Sequence, residues 1–351
     1  MRDFNRTREA VIKGQETGVY PGAALSSGDA GGELFRMHCG FRSYFPSREP
    51  MLEDTLFDVA SMTKIMSTTM VALLMLQDGR LNLSYPLTRF FDCPPDKGGI
   101  TVWHLMTHTS GLPAHEELWK RCRTPDAVTA EILGLGLLYA PGTGVTYSCL
   151  GYILLGKICE FIGGKSLDIL AREMVFNPLG MNDTGYNPAD KDNAASTEFS
   201  VEINAYKKGI VHDENAWFLG GVSGNAGLFS TISDCAVYAV MLANRGAHNG
   251  REFINRDLFN EAMRNHTPGL EEGRGLGFVV KAGLPSSAGN VFPDGSYGHT
   301  GYTGTSVWVD CETGQYTVFL TNRVHPTREN GLLVQYRKEV NDMSAKDYRE
   351  I

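Results

Sequence analysis

The amino-acid sequence predicts an α/β (α+β) sandwich, in which an antiparallel sheet built from both chain ends is flanked by helices and carries a mostly helical inserted domain. Three observations predict it. Strand-like segments gather before residue 60 and after residue 270, helical periodicity fills the interval, and the last two strand-like runs are joined by a short loop ending in glycine. The expected division is a sheet domain of residues 1–60 and 271–351 and a helical domain of residues 61–270, with a site in the cleft between them.

The elements follow in order. Val11 to Gln15 continues a helix that ends near Gly18, and Gly22–Ser27 is a first strand. A glycine-rich turn, Gly28–Gly32, leads into a second strand over Glu33–Cys39. Ile65, Thr69, Ala72, Leu73 and Leu76 recur at helical spacing until Asp78-Gly79 stops the helix. Further helices are expected over 101–106, 126–133, 152–161, 167–175 and 233–243. Strands return at Leu276–Val280, Thr305–Val309 and Tyr316–Leu320, the last two joined by the Asp310–Gly314 hairpin loop. A polar helix from about Arg328 to the C-terminus covers one sheet face.

Composition narrows the function classes. The 351 residues carry a net charge of −8 and no basic run, which excludes a nucleic-acid partner from the reading. No apolar stretch approaches the roughly 18–20 residues of a membrane span. Seven scattered cysteines without a CxxC pair form neither a disulfide framework nor a zinc knuckle, and with no apolar leader they point to a reducing cytoplasm. No cofactor or metal is expected, and the partner is a small-molecule ester or amide; the oligomeric state is not encoded.

Three short segments carry chemistry. In Asp58-Val-Ala-Ser61-Met-Thr-Lys64, Ser61 stands where a strand-like stretch gives way to a helix, and Lys64 follows one turn later on the same face. A serine hydroxyl needs a neighbour to take its proton, and a lysine does so only with a lowered pKa. Tyr147 follows the loop Pro141–Val145 and precedes Ser148-Cys149 and an apolar helix. His299-Thr300-Gly301 leads through Tyr302 into a strand, and small residues at such an edge let a substrate backbone approach.

In this order the segments resemble the three motifs of the serine β-lactamase and penicillin-binding-protein superfamily. The similarity is to the class C β-lactamase-like branch, with its esterase and D-alanyl-D-alanine carboxypeptidase relatives. Thr101–Pro113, Asn177–Met181 and Gly220–Ser230 resemble the same branch, so the likeness runs from Pro21 to about Pro326. The resemblance implies a β-lactamase/transpeptidase-like fold and an acyl-enzyme on Ser61, with Lys64 and Tyr147 sharing the proton. It implies an oxyanion hole made by the backbone N–H groups of Ser61 and Tyr302, and substrate contacts from Cys149, His299, Thr300 and Gly301.

Two departures bear on substrate. His299 stands where lactamases usually have Lys, which weakens anion recognition at neutral pH. Cys149 stands where relatives have Asn, and a thiol is a poorer partner for a substrate amide. The leading expectation is therefore a carboxylesterase. Its alternatives are a D-alanyl-D-alanine carboxypeptidase or weak β-lactamase, an acyltransferase, and a catalytically silent penicillin-binding or sensor module.

Other matches carry less. Gly163-Gly-Lys-Ser166 lacks the upstream glycine and the strand of a phosphate loop, and His104/His108 lack the glutamate of a zinc protease. His108 is expected in a structural loop, and His212–Asn215 in a polar loop near the cleft. Trp217, Phe218 and Tyr302 are candidates to line the substrate pocket.

Overall fold

The structure, a computed structural model, describes residues 3–283 and 285–350. Its centre is a seven-stranded antiparallel sheet. The strands are β1 (Gly22–Asp29), β2 (Gly32–Ser43), β3 (Glu49–Pro50), β4 (Val279–Val280), β5 (Tyr297–Thr300), β6 (Ser306–Val309) and β7 (Tyr316–Thr321). They lie in the order β4-β5-β6-β7-β1-β2-β3, so the two chain ends meet where β7 pairs with β1, Leu25 opposite Phe319. Both neighbours of β1 cover it, and its residues Gly22–Gly28 are buried. That is why it reads as a run of small and apolar residues and not as an alternation.

Helices cover both faces. On one, α1 (Asn5–Glu16) and the C-terminal helix α5 (Leu333–Arg349) pack together over Tyr20, Leu25, Met37 and Phe319. Tyr336 Oη donates to the Ala10 carbonyl at 2.7 Å. On the other face lies the helical layer, whose centre is α2 (Thr69–Gln77) with α3 (Cys149–Gly163) and α4 (Ile232–Ala243) around it. Every residue from Lys64 to Met75 is buried. A helix apolar on all sides has no single hydrophobic stripe, so the i, i+3, i+4 pattern found its existence but not its surroundings. Its first turn, Lys64–Thr68, is a π-helix, a widening found mostly at functional sites.

Three boundaries differ from the sequence expectation, each for a tertiary reason. The strand expected over 276–280 contracts to Val279–Val280, because Leu276 and Phe278 are buried in the helical core. Between them Gly277 takes a φ of +90° and donates to the Met106 carbonyl at 2.9 Å. A side chain there would collide with Thr69 and Tyr152. Helix α5 starts at Leu333 and not near Arg328, since Arg328 is held by Glu198 and Glu214 and Asn330 donates to the Gly18 carbonyl. Helix α3 starts at Cys149, where Ser148 Oγ accepts the Gly151 N–H at 3.2 Å as an N-cap.

The sheet and the start of the π-turn are locked where the β5–β6 connection crosses the segment before Ser61. Thr303 Oγ1 donates to the Asp58 carbonyl at 2.7 Å and Thr305 Oγ1 to the Val59 carbonyl at 2.9 Å. Gly301 lies against this crossing, and a Cβ on it would sit 3.2 Å from the Val59 carbonyl carbon and closer still to Val59 O and Thr305 Oγ1. Gly301→Ala is therefore expected to lose about 1–3 kcal/mol of stability by overpacking and most of its catalytic rate. Denaturant unfolding checks the first, and wild-type stability in the variant would refute the close crossing.

Candidate active site

Ser61 is presented by a strained turn. Ala60 has a φ of +46°, a left-handed conformation that costs an L-residue about 1–2 kcal/mol. Asp58 compensates: one carboxylate oxygen accepts the Ala60 N–H at 2.8 Å, the other the His212 N–H at 2.7 Å. Burial pushes the Asp58 pKa up, while those two N–H groups oppose the shift. The turn leaves the Ser61 N–H without an acceptor among the described residues, and the Tyr302 N–H likewise has none.

Lys64 lies fully buried beneath Ser61. Its Nζ donates to Ser61 Oγ at 3.1 Å, to Cys149 Sγ at 3.5 Å and to the Asn225 carbonyl at 2.9 Å. Three acceptors match the three N–H donors of an ammonium group. Burial favours the neutral amine, but the anionic forms of Cys149 and Tyr147 outweigh it and raise the Lys64 pKa. The direction is opposite to the lowering that a lysine base requires.

Tyr147 enters the cavity from a loop zipped to residues 108–114. Thr146 N–H donates to the His108 carbonyl at 2.9 Å, Ser148 N–H to His108 Nδ1 at 3.0 Å, and Cys149 N–H to the Ala114 carbonyl at 2.9 Å. His108, at a φ of +58°, thus has the structural place expected of it. The Tyr147 ring centroid lies 4.9 Å from Lys64 Nζ and 5.1 Å from Arg274 Cζ, and its Oη is buried without a hydrogen bond of good geometry. Burial raises its pKa, and Lys64 pulls the other way.

His299 is 2% exposed, with Nδ1 bonded to the Thr300 carbonyl at 2.8 Å and Nε2 unpartnered. Burial, then the charges of Arg274 and Lys64, hold it well below the ordinary histidine pKa. It is neutral at pH 7, as its replacement of a lysine led us to expect.

One cavity of about 840 Å³ gathers these groups. Ser61, Tyr147, Cys149, His299, Thr300, Gly301 and Tyr302 all line it, and Lys64 lies just beneath Ser61. His212, Asp213 and Glu214 line it too, the polar loop foreseen from the sequence. Trp217 and Phe218 do not, and packing accounts for both: Trp217 against the Leu56–Val211 cluster, Phe218 against the helical core. Gly164 is a left-handed helix cap with Lys165 paired to Glu173, so the glycine-lysine match has a structural origin.

Sequence reading missed four contributors. The Asn225 carbonyl is invisible because a main-chain group has no residue signature. Arg274, Arg323 and Arg337 line the cavity from separate elements, with nothing local to mark them. Arg323 donates to the carbonyls of Tyr302 at 2.8 Å and Asn330 at 2.8 Å, and Arg337 to that of Thr305 at 3.4 Å. Neither has a carboxylate partner among the described residues, and burial followed by the charge of Arg323 pushes the Arg337 pKa down to about 10.

A serine whose hydroxyl meets a buried lysine, with a tyrosine beside both, under two free backbone N–H donors, defines a serine hydrolase site of the acyl-enzyme type. The chain belongs to the Beta-lactamase family, whose model matches residues 7–342. It is 30% identical over 306 residues to a putative D-alanyl-D-alanine carboxypeptidase of Escherichia coli (strain K12), covering 77% of this chain and 70% of that one. Among solved structures it resembles EstCE1, a hydrolase with promiscuous acyltransferase activity (TM-score 0.77, 21% identity, 97% of this chain and 98% of that). It also resembles an octameric penicillin-binding protein homologue from Pyrococcus abyssi (TM-score 0.74, 22% identity, 94% and 76%). No helix among the described residues is long and apolar enough to cross a membrane.

His108 and His299 are both buried and held well below the ordinary histidine pKa, first by desolvation. The unfolded chain binds a proton on each below about pH 6.5, the folded chain only at lower pH. Their contribution to stability is thus full above pH 6.5 and lost as pH falls, by up to about 1.4 kcal/mol per pH unit for each histidine. The denaturant midpoint is expected to drop between pH 7.5 and 5.5, and His299→Gln to remove part of the drop; an unchanged midpoint in wild type contradicts the assignment.

Proposed function

We propose that the chain cleaves a peptide of D-alanyl-D-alanine type as a carboxypeptidase, through an acyl-enzyme on Ser61. The observation that carries the substrate class is the pair of buried arginines, Arg323 and Arg337, which line the cavity of Ser61 and have no carboxylate partner among the described residues. Two adjacent guanidinium groups withdrawn from water are stabilised by an anion, and a peptide C-terminus supplies one. The curated relative named for this activity supports the same reading. It replaces the esterase expectation, which took the neutral His299 to mean weak anion recognition.

In the proposed reaction Lys64 stays an ammonium, holding the Ser61 oxygen by its hydrogen bond and favouring the phenolate of Tyr147. Tyr147 takes the hydroxyl proton as Ser61 Oγ bonds to the carbonyl carbon, whose oxygen gains the electron pair. The N–H groups of Ser61 and Tyr302 stabilise that oxyanion, and loss of one such donor typically costs about 3–4 kcal/mol in the barrier. As the carbonyl re-forms, the C–N bond breaks and the leaving amine receives the proton from Tyr147. Water then attacks the ester carbonyl, giving its proton to Tyr147, and as the ester C–O bond breaks Tyr147 returns that proton to Ser61 Oγ and the acid is released. The division into a sheet domain (1–60, 271–351) and a helical domain (61–270) belongs to this proposal, with the cavity between them.

A carboxylesterase is the second reading, favoured by Cys149, which offers a substrate amide a weaker hydrogen bond than asparagine. Assays of D-alanine release from an N-acylated D-Ala-D-Ala peptide, p-nitrophenyl acetate hydrolysis and nitrocefin turnover separate the readings. Wild type is expected to release D-alanine and Ser61→Ala to lose all activity. Arg337→Gln is expected to raise KM for the peptide about tenfold, the loss of one charged hydrogen bond, with little effect on p-nitrophenyl acetate. Ester turnover without D-alanine release makes the protein an esterase. Stable penicillin labelling of Ser61 without turnover of any substrate makes it a sensor module.

A further inference from the structure

In this site the third-motif residue His299 is neutral, yet Tyr147 must hold a negative charge for part of the cycle. Lys64 is one cation beside it. A second cation lies against the same ring, the guanidinium of Arg274. Arg274 is 3% exposed, and its Cζ lies 5.1 Å from the Tyr147 ring centroid, as near as Lys64 Nζ at 4.9 Å. We propose that Arg274 is a positioning residue that holds Tyr147 in its proton-accepting form, carrying the positive charge that His299 does not. The inference rests on the reading that Tyr147 takes the proton from Ser61.

The placement of Arg274 is built. Its N–H donates to Thr267 Oγ1 at 2.9 Å, its carbonyl accepts the His266 N–H at 2.7 Å, and it bridges to Val279. Val279 is paired with Gly298, the neighbour of His299, so Arg274 stands one strand out from the third motif. Its Nη2 bonds to Glu272, while Nε and Nη1 are buried without a partner. Glu272 is 44% exposed, so water weakens its charge and it masks the guanidinium only in part, whereas the guanidinium itself is 3% exposed and lies against the Tyr147 ring. The field of Arg274 reaches its neighbours: next to burial, it is what keeps His108 and His299 neutral. A field that disfavours two imidazolium ions favours a phenolate in the same place.

The other groups facing Tyr147 are Ser61, Lys64 from the π-turn, Cys149 at the start of α3, His108 from the loop before α3, His299 from β5 and Tyr152 from α3. Lys64 and Tyr147 titrate together, so the acidic limb of kcat/KM belongs to the pair. An opposite charge at this distance moves a titrating group by about one unit or more. Arg274→Gln is therefore expected to shift the acidic limb of ester hydrolysis up by about one pH unit, and Arg274→Lys to restore it. Glu272→Gln, at a half-exposed position, unmasks the guanidinium and shifts the limb down. Opposite shifts in R274Q and E272Q support the proposal. An unmoved limb in E272Q together with an unmoved limb in R274Q, or a pH-independent loss equal in R274Q and R274K, overturns it. If R274Q does not fold, the downward shift in E272Q decides alone. Tyr147→Phe separates the underlying reading: wild-type activity there removes Tyr147 as base and this proposal with it, whereas loss there with no limb shift in the other variants rejects Arg274 only.

Discussion

Everything in the site depends on one buried charge, the ammonium of Lys64. An isolated cation in a protein interior costs several kcal/mol, and this one is tolerated because three acceptors from three parts of the chain meet it. One is the serine three residues earlier, one the first residue of α3, and one a main-chain carbonyl at Asn225. The last explains why the 220–227 loop is pressed so deeply into the helical layer. Thr68 Oγ1 donates to the Gly224 carbonyl at 2.8 Å, and Tyr186 Oη to Ser67 Oγ at 2.9 Å. The wide π-turn belongs to the same requirement, since it is the stretch of helix that carries the lysine.

A second constraint fixes the two free N–H donors relative to each other. Asp58 holds the left-handed Ala60 with its side chain and is held through its carbonyl by Thr303. The same carboxylate accepts the His212 N–H, and the His212 ring stacks on Tyr302 at 5.8 Å, with Arg323 4.6 Å over that ring. Residues 58, 212, 302 and 323 thus form one connected set of contacts beside the cavity. Strain stored at Ala60 is affordable only because this unit over-determines the turn.

The charge balance of the cavity explains why the substrate reading moved. From the sequence, replacing a lysine by His299 removes a cation. In the fold, four arginines line the cavity, Arg274, Arg323, Arg328 and Arg337, and two of them, Arg323 and Arg337, have no carboxylate partner among the described residues. Cationic character has been redistributed over Arg274, Arg323 and Arg337. The neutral His299 thus shares its cavity with guanidinium groups, on which the proposed recognition of a carboxylate rests.

What the sequence determined by itself was local chemistry and order. Ser61 and Lys64 are neighbours on one turn, Tyr147 follows a proline-glycine loop, and His299-Thr300-Gly301 precedes a strand; the spacing of such residues along the chain is enough to identify them. The fold class followed for the same reason, since strands at both ends and helices between leave few arrangements. Only the tertiary structure decided the partners of Lys64, the burial of His299 and the places of Arg274, Arg323 and Arg337. Each depends on which groups from distant segments share one cavity, and neither burial nor the aim of a backbone carbonyl leaves a trace in residue order. The strand contracted at 276–278 for a like reason, because the chain turns at Gly277 to bring Leu276 and Phe278 against the helices. Local periodicity reports that a side chain will be buried; long-range contacts decide against what.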